Sequence, residues 1–249
     1  MPSSAKLDHL RPNWPAPPFV HALITTRQHG VSLTPYQSNN LGDHVGDRLE
    51  HVTQNRLALR ERFQLPQDPI WLEQTHSANC VLVEASMTRR ADAAITRTPH
   101  QVLAILTADC LPILLCDCEG REVAAIHAGW RGLAGDVISS TLQQMQTPPK
   151  QLMAWLGPRP CASCYEVGEE LLPLFLVKYP EATEAFLPHQ PGKYFLDMGK
   201  LATQMLHAHH IYSVYDANAC TFEDKEHFFS YRRDGQTGRM ASIIWISEV

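Results

Sequence analysis

Short apolar runs bounded by residues that break regular structure dominate this chain. VHALITT, CVLVE, VLAILT, ILLCD, VAAIHA, LMAWLG, IYSVY and SIIWI are rich in β-branched or aliphatic residues and are bounded by Gly, Pro, Asp or Asn, the pattern of strands. Helical spacing of apolar positions predicts helices over 51–63, 133–145, 167–175 and 198–207, with Asp197 as N-cap of the last. Strands cluster and helices intrude singly. This predicts an α+β layered fold rather than a doubly wound parallel sheet. VLAILTADC and REVAAIHAGW are continuously apolar, so their strands are expected to be covered on both faces. Asp109, Cys110, His127, Trp130 and Arg131 then mark strand ends, where polar groups can form a site. Gly129, Gly132 and Gly135 allow close backbone approach as the chain leaves a strand, and the helix N-terminus expected there can help to receive an anion.

With 249 residues and 44% apolar content, the chain can bury a large core in one or two domains. No composition shift divides it and no internal repeat is visible, so one domain over 1–249 is expected, with residues 1–18 as an N-terminal arm carrying RPNWPAPP. The formal charge of −5 supplies no basic field for a polyanionic backbone, and Arg232-Arg233 is an isolated basic spot. Nucleic acid is therefore not an expected partner. Nor is a membrane, because the chain has neither a signal-peptide pattern nor an apolar run of roughly 18 residues. A soluble, cytoplasmic protein is expected.

Seven cysteines without a signal peptide read as reduced thiols. Cys80, Cys116 and Cys220 lie in apolar runs and read as small core residues. Cys161-Ala-Ser-Cys164 has redox-motif spacing, but the sequence shows neither a thioredoxin-like context nor a second pair for zinc, so it reads as structural.

His76, Cys110 and His127 each close a short apolar run beside a residue that breaks regular structure. Taken singly, each is more often a packed core residue than a ligand. As a set they offer two imidazoles and one thiolate, three ligands for a tetrahedral ion with a fourth position open, as catalytic zinc sites are built. Their wide spacing matches no zinc-finger pattern.

The blocks TTRQHGVSLTPY, NNLGDHVGD, WLEQTH, TADCLPILLCD, AAIHAGWRG, WLGPRP, CYEVGEE and CTFEDKEHFFSYRRDGQTGRMASIIWI resemble, in order, those of the bacterial laccase-domain family. That family is described both as polyphenol oxidase and as zinc-dependent purine nucleoside phosphorylase with adenosine deaminase activity. The resemblance implies a single-domain α/β/β/α sandwich with mixed sheets, its metal on His76, Cys110 and His127, and nucleoside and phosphate as substrates. One block departs: where the family reads R-x-G-G-V-S, this chain has Arg27, Gln28, His29 and Gly30, so a histidine replaces a glycine free to take positive φ.

The expected function is therefore zinc-dependent purine nucleoside phosphorolysis and adenosine deamination, on adenosine, inosine, guanosine or methylthioadenosine. Asp109 is a candidate acid/base or a carboxylate that orients a ligand histidine, with a plain turn aspartate as the alternative. Arg27 is the favoured phosphate ligand because it ends an expected strand inside a matched block; Arg131, Arg232 and Arg233 are further cations. His44 is a candidate pocket residue, and Glu73 a minor one. Phe228, Phe229 and Tyr231 can stack on a base or fill a core. His207, His209 and His210 are expected at a helix end, not on a metal. Three rivals remain open: a copper-dependent polyphenol oxidase, since two histidines and a cysteine also hold copper; a cysteine hydrolase or amidase acting on cell-wall precursors through Cys110; and a structural metal protein.

Overall fold

The structure is a computed structural model and describes residues 8–248; residues 1–7 of the expected arm lie outside the described residues. In chain order the strands begin with β1 (His9–Leu10), β2 (Val20–Thr25), β3 (Ile70–Trp71), β4 (Cys80–Leu82) and β5 (Ala93–Thr96). Next come β6 (Leu103–Thr107), β7 (Leu111–Asp117), β8 (Val123–Ala128) and β9 (Leu152–Leu156). The last are β10 (Glu166–Gly168), β11 (Phe186–Pro188), β12 (Lys193–Leu196), β13 (Ser213–Asp216) and β14 (Met240–Ile246). The helices are α1 (Leu49–Phe63), α2 (Trp130–Ala134), α3 (Val137–Leu142), α4 (Leu172–Leu176), α5 (Met198–Ala208) and α6 (Tyr231–Asp234).

Two mixed sheets, ordered β1-β2-β14-β6-β3 and β13-β9-β7-β8-β5-β4, form the centre, and β10-β12-β11 make a small third sheet. Side-chain alternation assigns the layers. Ile244 and Ile246 of β14, with Leu103 and Ile105 of β6, meet Leu114 and Cys116 of β7 and Val123 and Ala125 of β8 between the large sheets. The opposite face of the first sheet, with Leu23, Ala104 and Ile243, packs on Leu59 of α1. The opposite face of the second, with Ile113, Leu115 and Ile126, packs on Val137 and Ile138 of α3 and on Leu201 and Leu206 of α5. This is the α/β/β/α sandwich, and it explains why β6, β7 and β8 read as unbroken apolar runs. Each such Leu or Ile contributes about 1.5–3 kcal/mol by leaving water.

All eight expected strands are present in whole or part, and Asp197 caps α5 by accepting the Lys200 N–H at 2.9 Å. Two expected helices are corrected. The stretch 133–145 breaks between α2 and α3, where Asp136 takes φ 67°. In 167–175, Val167 pairs with Tyr194 in β12, and Pro173 confines the helix to α4 because proline cannot occupy a helix interior. From residue 9 onward the expected arm lies against the sandwich: β1 pairs with β2, and Trp14 packs against the inter-sheet core.

Asp136 has a structural reason for its strained backbone. Its carboxylate accepts from Tyr179 Oη at 2.8 Å and Lys178 Nζ at 2.9 Å, joining α3 to the segment after α4. Tyr179 Oη also lies 3.0 Å from His209 Nε2; with the phenol hydrogen given to Asp136, His209 is the donor. Burial alone would raise the Asp136 pKa, but hydrogen bonds from His209, Lys178 and Tyr179 hold it well below the usual carboxylate range. A depressed folded pKa stabilises above the unfolded value of about 3.9 and is lost as pH falls toward the folded one. Asp136→Asn is thus expected to cost about 1–3 kcal/mol at pH 7, with the gap to wild type closing below about pH 4. Chemical denaturation across pH tests this, and a gap independent of pH refutes it.

Candidate active site

The chain crosses from the first large sheet to the second between β6 and β7, and that crossover carries Asp109 and Cys110. Asp109 takes φ 96°, a conformation that costs a non-glycine residue about 1–2 kcal/mol. Two bonds hold it there: Thr221 Oγ1 donates to Oδ1 and the Arg232 N–H to Oδ2, both at 2.7 Å. The antiparallel register then sets the neighbours. Leu111 pairs with Ala128 and Pro112 with His127, so Cys110 stands opposite Gly129. A Cβ on Gly129 would lie 2.8 Å from Cys110 Sγ and 3.2 Å from His76 Cδ2, so only glycine leaves room for both side chains. His127 continues the β8 row of Val123 and Ala125 and is buried between the sheets.

His76 arrives from the loop after β3 with φ 57° and stays exposed. Gln74 fixes this loop to β6, its amide donating to Leu106 O and accepting from Leu106 N–H, each at 2.7 Å. Cys110 Sγ and His76 Nε2 are 3.8 Å apart, the two imidazole centroids 4.9 Å, and one ligand atom from each of the three residues lies within 4.8 Å of the others. The thiol and both imidazoles thus converge with one exposed side.

Asp92, which precedes β5, is a residue that sequence reasoning missed. Fully buried, it accepts from His127 Nδ1 at 2.8 Å and the His76 N–H at 3.0 Å through Oδ1. Its Oδ2 takes the N–H and hydroxyl of Ser77, both at 2.7 Å, and the Thr75 N–H at 3.2 Å. Because a carboxylate here only accepts, His127 Nδ1 carries hydrogen and Nε2 is left for the site. Burial alone would raise Asp92, yet the bonds from His127 and Ser77 hold it down to about 2. Burial likewise opposes a charged His127, but the Cys110 thiolate and Asp92 push it up to about 9. Cys110, which burial would raise, is drawn down to about 6 by His127 and His76. The two shifts share one cause, the attraction between the Cys110 thiolate and the His127 ring that Asp92 backs.

His76, Cys110 and His127 line a cavity of about 530 Å³ with Trp130, Tyr165 and Tyr231 and three guanidinium groups, Arg131, Arg232 and Arg239. Arg131 lies over the Trp130 ring at 4.3 Å and Arg232 over Tyr165 at 4.6 Å. Arg239 Nη1 is anchored on the Thr237 and Gly238 carbonyls, both at 3.0 Å. His44 and Asp109 line the same cavity.

Arg27 and Arg233 do not. They border a separate cavity of about 940 Å³, and their donors serve loop carbonyls. Arg27 donates to Gln37 O at 3.1 and 3.0 Å and to Lys225 O at 3.2 Å. Arg233 donates to Thr221 O at 2.7 Å and to Phe222 O and Phe228 O at 3.0 Å. Phe228 and Phe229 are core. Glu73 is exposed beside Arg90, and His207 and His209 end α5 as expected. His29 takes φ 67°, so the backbone keeps the conformation suited to the family's glycine. Besides Asp92, sequence reasoning missed Arg239 and Tyr165, although both lie inside blocks that carry the resemblance.

An α+β sandwich with an open-sided His-Cys-His group at a sheet crossover is therefore the class of protein defined here. A profile of the family described as multi-copper polyphenol oxidoreductase laccase matches residues 21–247, and the chain belongs to that family. It is 48% identical over 239 residues to a purine nucleoside phosphorylase of Haemophilus influenzae, covering 95% of this chain and 98% of that one. It is 44% identical over 237 residues to purine nucleoside phosphorylase YfiH of Escherichia coli, covering 94% and 97%. Among solved structures, the Neisseria meningitidis protein NMB0706 matches with TM-score 0.93 and 45% identity over 97% of this chain and 100% of that one. YlmD of Geobacillus stearothermophilus matches with TM-score 0.89 and 29% identity over 97% of each.

Because Asp92 orients one candidate ligand and gathers the loop bearing another, Asp92→Ala is expected to weaken Zn²⁺ or Co²⁺ binding about 10- to 100-fold. His207→Ala is expected to leave it unchanged. Titration against a competing chelator measures both, and unchanged affinity in Asp92→Ala refutes the orienting role.

Proposed function

We propose that the protein is a zinc-dependent purine nucleoside phosphorylase that also deaminates adenosine at the same site. One observation carries this reading: a single cavity holds an open-sided set of two imidazoles and a thiolate together with Arg131, Arg232 and Arg239. The donors fit zinc, which takes cysteine and histidine and needs only three protein ligands at a catalytic site. Copper accepts the same atoms. However, the only other group of three or more possible ligands among the described residues is all cysteine, which gives no further histidine cluster for the additional coppers of a multicopper oxidase.

His76, Cys110 and His127 would hold the zinc, which would supply a Lewis acid in the cavity. The arginines hold phosphate, their planar forks matching its oxygens. In phosphorolysis a phosphate oxygen bonds to the anomeric carbon as the carbon–nitrogen bond to the purine breaks. The electron pair leaves with the base, which then takes a proton. Tyr165 and Tyr231 offer aromatic surfaces for that base. In deamination water adds to C6 and ammonia leaves; Asp109 is the carboxylate available in the cavity to move protons.

Adenosine is expected to give adenine and ribose 1-phosphate only with phosphate present, and inosine without it, both products being lost on chelation. Arg239→Ala is expected to raise the phosphate KM about 10- to 100-fold, the worth of a charge-assisted bond, and to spare inosine formation. Arg27→Ala should leave that KM near wild type. If Arg27→Ala raises it as much as Arg239→Ala, the anion site lies elsewhere.

A second reading has its own observation: Cys110, His127 and buried Asp92 form a thiolate, imidazole and carboxylate series of the kind that activates a nucleophile. The two readings require opposite behaviour of Cys110. As a zinc ligand its lone pair is committed, so Cys110 should resist iodoacetamide in metal-loaded protein and react after chelation. Peptide mapping follows it apart from the other thiols. Rapid labelling of the loaded protein, with activity indifferent to chelator, selects the hydrolase.

A further inference from the structure

Cys161, Cys164 and Cys220 gather outside the active site, with their sulfurs all within 4.8 Å of one another. Ala162–Cys164 forms one 3-10 turn, whose three-residue repeat brings side chains three apart onto one side. Cys161 and Cys164 Sγ are accordingly 3.2 Å apart. Cys220 comes from the loop after β13, which is laddered to the first loop: Arg159 N–H donates to Ala219 O at 3.2 Å and Thr221 N–H to Arg159 O at 3.0 Å. The Cys161 N–H donates to Cys220 Sγ at 3.1 Å, and Glu223 Oε1 lies 3.7 Å from Cys164 Sγ. Cys220 is thus no core residue. The fold sets Cys-x-x-Cys against Cys220-Thr221-Phe222-Glu223.

We infer that Cys161, Cys164, Cys220 and Glu223 form a second, structural metal site that takes one thiophilic divalent cation, Zn²⁺ above all, in a closed shell of three thiolates and a carboxylate. Zinc–sulfur bonds of about 2.3 Å put tetrahedral sulfurs about 3.8 Å apart, inside the observed span. Two closely spaced pairs on separate loops are how structural zinc sites are assembled. A dithiol redox pair would use two of these sulfurs and leave the third and Glu223 without a role. The site would clamp two loops that serve the catalytic cavity: Tyr165 follows Cys164, and Thr221, which holds Asp109, follows Cys220.

Elemental analysis of protein purified under reducing conditions with Zn²⁺ should give two zinc ions per chain. The His76→Ala/His127→Ala variant removes the catalytic set and should keep one; adding Cys161→Ser or Cys220→Ser to it should remove that one, whereas Cys118→Ser should not. Circular dichroism confirms folding in each case. In the double variant, Co²⁺ should show thiolate charge transfer that Cys161→Ser weakens. As a check free of mutation, Cys161, Cys164 and Cys220 of the zinc-loaded wild type should resist iodoacetamide. No zinc in the folded double variant, with all three thiols labelled in the wild type, overturns the site. So does a Cys161–Cys164 disulfide found by mass spectrometry in place of metal. Failure of the catalytic proposal shows separately, as zinc unaffected by His76→Ala.

Discussion

The carboxylate of Asp92 is the constraint on which the site depends. It lies at the start of β5 in the second sheet, has no solvent exposure, and is surrounded by donors from the 75–77 loop and from β8. A buried carboxylate left unpaired costs several kcal/mol, so the loop and His127 are bound to it as strongly as it is bound to them. The positive φ at His76 follows from this arrangement: the loop turns so that three consecutive N–H groups reach one side chain, and the imidazole is thrown outward beside Cys110. Ring orientation, thiol placement and loop position are therefore parts of one hydrogen-bond network.

Much of the layered fold was legible because burial on both faces writes itself as unbroken apolar runs. That signal located β6, β7 and β8, and with them Cys110 and His127 at strand ends. It could not locate Asp92. ADAAIT is short and begins with a charge, and nothing local says that the charge is buried against residues 75–77 and 127. The helix expected over 133–145 failed for a related reason, since Asp136 abandons helical geometry to serve Tyr179 and Lys178, partners far along the chain.

Arginine roles were illegible in the same way. A guanidinium can neutralise a ligand or satisfy carbonyls, and only the surroundings decide. Arg27 looked like an anion ligand because it ends β2 in a matched block, yet two loops consume its donors. Arg239, unremarkable in sequence, enters the cavity because Asn40 Oδ1 accepts its backbone N–H at 2.9 Å just before β14 begins. The thiol cluster repeats the lesson: Cys161 and Cys164 announce a pair by spacing, while Cys220 and Glu223 join them only through the ladder at Arg159.

The charge distribution follows from these placements. The chain carries a formal −5, so its overall field does not draw anions. Positive charge is gathered locally instead: the cavity is lined by Arg131, Arg232 and Arg239 together with one carboxylate, Asp109, whose two oxygens already accept from Thr221 and the Arg232 backbone. Those bonds tie the cavity's acidic group to the loop that bears Cys220, and Arg232 stacks on Tyr165 beside Cys164. Of the three guanidinium groups, Arg232 is thus tied to both thiol-bearing loops, through the Tyr165 ring and through Asp109, which its N–H shares with Thr221.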